Sequence, residues 1–189
     1  MRPRRQQVLD LLRRVGVPPR VISHSLKVES EADRIARRIS ERGIQVDLEL
    51  VSIGSLVHDL GRSETHGMDH GIVGARILRD GGFLEHLCNR EERERLARIC
   101  ERHIGAGLNE SEAEAVGLPR KDYIPQTLEE KIIAHADNLV WNGVLDVEDS
   151  RRRFRGRFGD DSPIVRRIVR LGDEVCRLAG EAVEEDHDT

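Results

Sequence analysis

The chain has 189 residues, 38% of them hydrophobic, which is enough for one core and a little above the usual size of a single domain. Only 3% are aromatic while 35% are charged, and the formal net charge of -4 argues against an overall electrostatic pull toward nucleic acid or anionic membrane, so anionic ligands must be attracted locally. The three cysteines, Cys88, Cys100 and Cys176, contain no Cys-x-x-Cys, so neither a disulfide framework nor a structural zinc site is indicated.

With so few aromatics, the core must be Leu, Ile, Val and Ala packed between helices with charged outer faces, and the expected fold class is all-α in one domain over residues 1–189. Arginine dominates the cations, lysine occurring only at Lys27, Lys121 and Lys131; this mixture fits ion-pair networks of the thermophile kind, and a GC-rich genome would give the same bias. The opening Met1-Arg2-Pro3-Arg4-Arg5 is basic like a leader, but no apolar stretch follows it and no long apolar run comes later, so a cytoplasmic, soluble protein with reduced thiols is expected.

In chain order, Val8, Leu11, Leu12 and Val15 predict a short helix over Gln6 to Val15, ended by Gly16 and the Pro18-Pro19 break. A second helix from about Arg20 to Arg42 has an inward stripe of His24, Val28, Ala32, Ile35 and Ile39, which puts His24 on the core side near its first turn. Asp47 is positioned to cap a third helix so apolar that it must be central, with His58 continuing its buried face and Gly61 stopping it. The polar stretch Arg62 to Gly71, carrying His66 and His70, reads as a loop before a helix that starts near Ile72 and closes at Gly81-Gly82.

A charged helix from about Arg90 ends at His103 before the flexible Gly105-Ala106-Gly107. Ser111-x-x-Glu114 and Thr127-x-x-Glu130 both read as capping boxes, and the helix after the second carries Ile133 and Asp137 on one face, so a carboxylate enters an apolar surface. The remainder, about 146–185, reads as a helical buttress whose last helix runs from about Asp161 to Glu185 into an acidic tail. Its stripe of Ile164, Val165, Ile168, Val169, Leu171 and Val175 serves either the core or a homo-oligomer contact.

A lone inward histidine is ordinarily a hydrogen-bonded core residue. Here His24, His58, Asp59 and Asp137 coincide, and carboxylates at buried helix ends are costly unless paired or metal-bound, so the set favours a metal site assembled by the fold. Two imidazoles and two carboxylates suit Mn, Fe, Co, Ni, Zn or Mg and leave positions for water, which such an ion turns into a nucleophile beside a polarised phosphoryl oxygen.

The H...HD...D pattern of His24, His58-Asp59 and Asp137 resembles the HD-domain metal-dependent phosphohydrolases over roughly residues 20–145. Val57-His58-Asp59-Leu60-Gly61-Arg62 is similar to the HD-x-G (HDIG-type) subgroup, and the chain resembles small archaeal stand-alone HD proteins in particular. The resemblance implies an HD-domain helical bundle and one or two divalent ions, with His70 and His103 as ligands of a second ion and Asp59 bridging both. It places His66 as an alternative ligand or proton donor. Arg62 sits where many relatives carry Lys, so that its guanidinium grips substrate phosphate or is a surface charge at a helix end. The acidic residue three positions after Asp59 found in some one-metal nucleotidases is absent, against a simple 5'-nucleotidase.

His135 is close enough to Asp137 to support it from behind, whereas His86 and His187 have no motif support. The run Arg151 to Phe158 mixes cations with aromatics as RNA-binding segments do, but its acidic flanks favour a solvated face with local ion pairs. The expected function is phosphomonoester or phosphodiester hydrolysis on a phosphorylated small molecule, a nucleotide or an RNA-derived substrate, with no membrane partner. A metal-containing nucleotide- or RNA-binding accessory module without turnover is the alternative.

Overall fold

In the computed structural model, residues 3–82, 84–141 and 143–181 are described, and these are helical with no extended strand among them. The bundle is all-α. Helix α1 (Pro3–Arg14) leads through the Gly16 turn to α2 (Pro19–Glu41), the long helix with nine buried positions, Val28, Ala32, Ile35 and Ile39 among them as the periodicity requires. The basic start of the chain is tied into the fold: Arg4 pairs with Glu49 and Glu92, and Arg5 with Glu29.

Helix α3 (Leu48–Val57) is the centre. Asp47 caps it by accepting from the Leu50 amide at 3.0 Å, and every residue from Leu50 to Val57 is buried. Each of its fully buried aliphatic side chains contributes roughly 1.5–3 kcal/mol by leaving water. The charged helix α5 (Arg90–Arg102) and helix α7 (Leu128–Leu139) flank it, capped by the boxes Asn89/Glu92 and Thr127/Glu130. Gly54 lets them come close, since a Cβ there would lie 2.7 Å from Ile99 and 2.8 Å from Ile133.

Between α3 and α5 stand a short 3-10 turn (Leu60–Ser63) and helix α4 (His70–Arg79). Helix α4 begins two residues earlier than the periodicity suggests, so His70 is its first residue and not part of a loop. The reason is backbone packing: at Gly61 a Cβ would meet the His70 carbonyl at 1.9 Å and at Gly71 the Cys100 carbonyl at 2.5 Å, so α4 docks against turn and helix with no side chain between.

The short α6 (Glu110–Ala115) covers a satellite cluster of Leu108, Ala113, Leu118 and Tyr123. Its capping box is Asn109 with Glu112, not Ser111 with Glu114; Ser111 instead donates its hydroxyl to Asn109 Oδ1. Overlapping Asn/Ser and Glu pairs offer two registers, and only the first leaves Ala113 facing the cluster. Helix α8 (Val147–Phe158), capped by Asp146, and α9 (Pro163–Ala179) complete the bundle. The apolar stripe of α9 is spent on the core, with Val165, Ile168, Val169, Leu171 and Val175 all buried. Left-handed Gly180 ends α9 well before Glu185, which with His187 and the acidic tail lies outside the described residues. The main hydrophobic cluster runs from Val8 to Ala179, and no described helix is long and apolar enough to cross a membrane.

Candidate metal centre

Three helix ends and two helix faces bring their polar side chains to one place. His58 follows the last turn of α3, His70 opens α4 and His103 follows α5; all three are buried. Each uses the same local device. His58 Nδ1 donates to the Ser55 carbonyl at 2.7 Å, His70 Nδ1 to that of Gly67 at 2.8 Å and His103 Nδ1 to that of Cys100 at 2.8 Å. A carbonyl only accepts, so the ring proton is held on Nδ1 and each neutral imidazole presents the Nε2 lone pair inward.

Those lone pairs converge on carboxylates. Asp59 Oδ1 lies 3.2 Å from His70 Nε2 and 3.7 Å from His103 Nε2, while its Oδ2 lies 3.7 Å from His58 Nε2. Asp137, from the inner face of α7, sets Oδ1 2.8 Å from His24 Nε2 and 3.6 Å from His58 Nε2. His70 and His103 bring their Nε2 atoms within 3.2 Å of each other, and buried His58 Nε2 has no hydrogen-bond partner. Facing lone pairs, two carboxylates and an orphaned buried nitrogen are costly in a low-dielectric interior unless a cation lies between them. The donors fall into two groups whose ligand atoms lie within 4.8 Å of one another: His24, His58 and Asp137, and His58, Asp59 and His103. The residues present therefore fit a divalent metal.

A protein-family model described as HD domain matches residues 21–142, about two thirds of the chain. The chain belongs to the HD-domain family.

HD domains bind divalent metals and form a superfamily of metal-dependent phosphohydrolases. This HD domain is 48% identical to an uncharacterized protein of the archaeon Methanocaldococcus jannaschii over 84% of this chain and 89% of that one. It is also 41% identical to a tRNA (cytidine(56)-2'-O)-methyltransferase of Thermoplasma volcanium and 35% identical to one of Picrophilus torridus. Each match takes in 97% of this chain but only 50% and 49% of the methyltransferase, so the chain spans about half the length of those two relatives. No solved structure matches the chain.

Electrostatics divides the imidazoles of the HD domain. Burial alone lowers His58, but Asp59 and Asp137 outweigh it and push it up to about 9. Burial, with His58 and His70 nearby, holds His103 down at about 3, and His70 is also lowered by burial. Burial raises both carboxyls, yet His58 and His103 beside Asp59, and His24 and His58 beside Asp137, hold them below the usual range.

The cluster opens into a cleft with two lobes. One, of about 310 Å³, reaches Asp59, His70, His103 and Asp137 and is walled by Trp141, Arg153 and Arg157. The other, of about 580 Å³, takes in Arg20, Lys27, Arg62 and His66, with His24 between them. Arg62 Nε stands 3.4 Å from Asp59 Oδ1, and its guanidinium donates to the His66 and Gly67 carbonyls at 2.8 and 3.3 Å. His66 is exposed on the lobe wall and belongs to neither ligand group.

His135 does not support Asp137. It turns to the opposite side of α7, where its Nε2 lies 3.7 Å from Cys176 Sγ and its ring packs on Gly172 of α9. Two positions along a helix is about 200°, which sends the two side chains apart. Sequence reasoning missed Arg20, Lys27, Asn138 and Trp141. Buried Asn138 donates to the Gly105 carbonyl at 2.8 Å and so fixes the turn after His103; its only signal was its place beside Asp137.

Proposed function

We propose that this HD domain hydrolyses a phosphomonoester or phosphodiester of a nucleotide or RNA-derived substrate. The observation that carries the reading is the set of three buried imidazoles whose Nε2 lone pairs converge on Asp59. His24, His58, Asp59 and Asp137 would hold one divalent ion and His70 and His103 would complete a second position, since one oxygen of Asp59 faces His58 and the other faces His70 and His103. When bound, such ions polarise the phosphoryl oxygen and make water acidic enough to attack at neutral pH.

The chain's own side chains do the rest. Arg20 and Lys27 draw the anionic substrate into the wider lobe against the overall negative charge. Arg62, held in place by two backbone carbonyls at Nη1 and by Asp59 at Nε, presents its remaining Nη2 to phosphate oxygens and stabilises charge as it builds there. His66, on the exposed wall, delivers a proton to the departing oxygen. The three cysteines are free and buried, which suits a reducing, cytoplasmic compartment, and the continuous core suits a single domain.

The names of the two longer relatives support an RNA-related substrate. They also favour a second reading, a metal-containing module that binds RNA beside a modifying enzyme without turning it over. The deciding experiment loads the protein with Mn and follows phosphate and nucleoside release from nucleotide monoesters, cyclic nucleotides and short RNAs, with Asp59→Ala in parallel. Turnover confined to the unaltered protein supports the hydrolase; silence in both, with metal bound, supports the module.

A further inference from the structure

The chain has one Trp, one Tyr and three Phe; of these five aromatics Trp141 and Phe154 line the smaller lobe of the cleft, and Phe158 stacks on Phe154 beside it. Trp141 is 54% exposed and Phe158 41%, whereas Tyr123 is buried in the satellite cluster. Phe154 is half-buried against the core, so the ring left in water at the mouth of the polar cluster is that of Trp141, with Phe158 exposed beside Phe154, a placement that suits a ligand.

Cations interleave with the rings. The Arg153 guanidinium lies between Trp141, at 4.9 Å, and Phe154, at 4.3 Å, and Arg157 stands 5.2 Å over Phe158. The Phe154 and Phe158 rings are nearly parallel, 11° apart with centroids at 6.4 Å. Both residue types thus repeat at four-residue spacing along one side of α8; Arg153, Phe154 and Arg157 line the smaller lobe with Asp59, His103 and Asp137, and Phe158 continues that side of the helix.

The remaining arginines of α8 behave differently. Arg151, Arg152 and Arg155 each pair with a carboxylate, Asp173, Asp149 and Glu148 respectively. Among the described residues, Arg153 and Arg157 have no ion-pair partner; Arg153 donates instead to the Asn138 carbonyl. Local ion pairing on a solvated face is expected of this run. It holds away from the cleft and fails on the cleft side, where positive charge and aromatic faces are left available together.

We infer that Trp141 and the Arg153, Phe154, Arg157, Phe158 side of α8 form a stacking shelf for the nucleobase attached to the phosphate that lies over Asp59. This rests on the phosphohydrolase reading and names the residues that grip the base of its nucleotide substrate, free or in a single strand. Aromatic planes and guanidinium groups stack on any base, so the shelf is tolerant of base identity, and the cations meet the neighbouring phosphates. A sugar phosphate offers nothing to stack.

Trp141 is the chain's sole tryptophan, so its emission reports the shelf without any need for turnover. The metal-loaded full chain is mixed rapidly with ribose 5-phosphate, adenosine or uridine 5'-monophosphate, or a four-nucleotide single-stranded RNA. Nucleotides and RNA are expected to quench the emission at concentrations about tenfold or more below those needed for ribose 5-phosphate. Tighter binding of the RNA than of the monophosphates identifies a strand as the ligand; equal binding identifies a free nucleotide. Phe158→Ala and Arg157→Gln, both at exposed positions, are expected to weaken the nucleotide binding about five- to hundredfold. Arg152→Gln, away from the cleft, binds as the unaltered protein does. Equal quenching by ribose 5-phosphate and nucleotides, or unaltered binding by both Phe158→Ala and Arg157→Gln, overturns the shelf. Turnover is read separately: binding without turnover removes the hydrolase and keeps the shelf, whereas equal kcat/KM for ribose 5-phosphate and nucleotides removes the shelf and keeps the hydrolase.

Discussion

His58 and His135 are both buried, yet their surroundings drive them in opposite directions: His58 is pushed up to about 9 and His135 held down at about 4. Burial lowers both. His58 ends high because two carboxylates face its unpartnered Nε2, whereas His135 has only distant charges of both signs and a thiol beside its ring. Burial and a titratable ring are therefore not enough to mark a site; the mark is a lone pair aimed at groups that need a cation.

The sharpest way to break this contrast is to remove the carboxylate that His58, His70 and His103 share. Asp59→Ala is expected to lower metal affinity by more than about a hundredfold, since even the partners behind a ligand are worth about 10–100-fold. Metal content after dialysis, with turnover alongside, checks it. Retained metal at full occupancy would mean that the histidines hold the ion without Asp59.

Acid unfolding sharpens the contrast from the other side. The folded His135 value lies below its ordinary 6.5, so its stabilising contribution is present above pH 6.5 and lost as the pH falls to about 4, by about 3 kcal/mol. Denaturant titrations of His135→Leu at pH 7 and pH 4.5 should show that this variant loses less stability on acidification than the unaltered protein, with unchanged metal content. A metal deficit in His135→Leu would place this residue with the cluster after all.

Chelation tests the cation demand directly. Stripping an ion present at about a hundred times its dissociation constant removes roughly 2.7 kcal/mol, a drop in Tm of about 5–10 °C for a chain of this size. Scanning calorimetry with and without chelator checks this, and His135→Leu should show the same drop. Smaller still is Gly71→Ala. Its Cβ would press on the Cys100 carbonyl, and relaxing that contact is expected to cost about 1–3 kcal/mol and to move His70 from Asp59, detected as lower Tm and weaker metal binding.

How far each feature could be read beforehand follows from how local its cause is. His58 and Asp137 interrupt apolar helical faces, a pattern visible within one turn, and the central place of α3 follows from its unbroken apolar run. His103 stood out by its place at the end of a charged helix, whereas His70 and the assignment of both to a second ion were reached through the family resemblance; what joins them to Asp59 is backbone docking at Gly61 and Gly71. The Ser111 cap went to Asn109 because the choice between overlapping registers is made by what Ala113 packs against. Arg20 and Lys27 share the face of α2 that carries His24, at spacings of four and three, whereas Trp141 reaches them only when the chain beyond α7 meets α2, and no spacing along the chain records that meeting.

The bond from each Nδ1 to a carbonyl three residues earlier has a further consequence. Since His58, His70 and His103 are aimed by the backbone just before each of them and not by one another, the proposed receptor is assembled before its guest arrives. Loading then resembles the filling of a seat, with little refolding, and one occupant can replace another without dismantling the seat. Which ion works in the cell is consequently a question of supply and exchange rate, and growth medium becomes an experimental variable as consequential as any substitution.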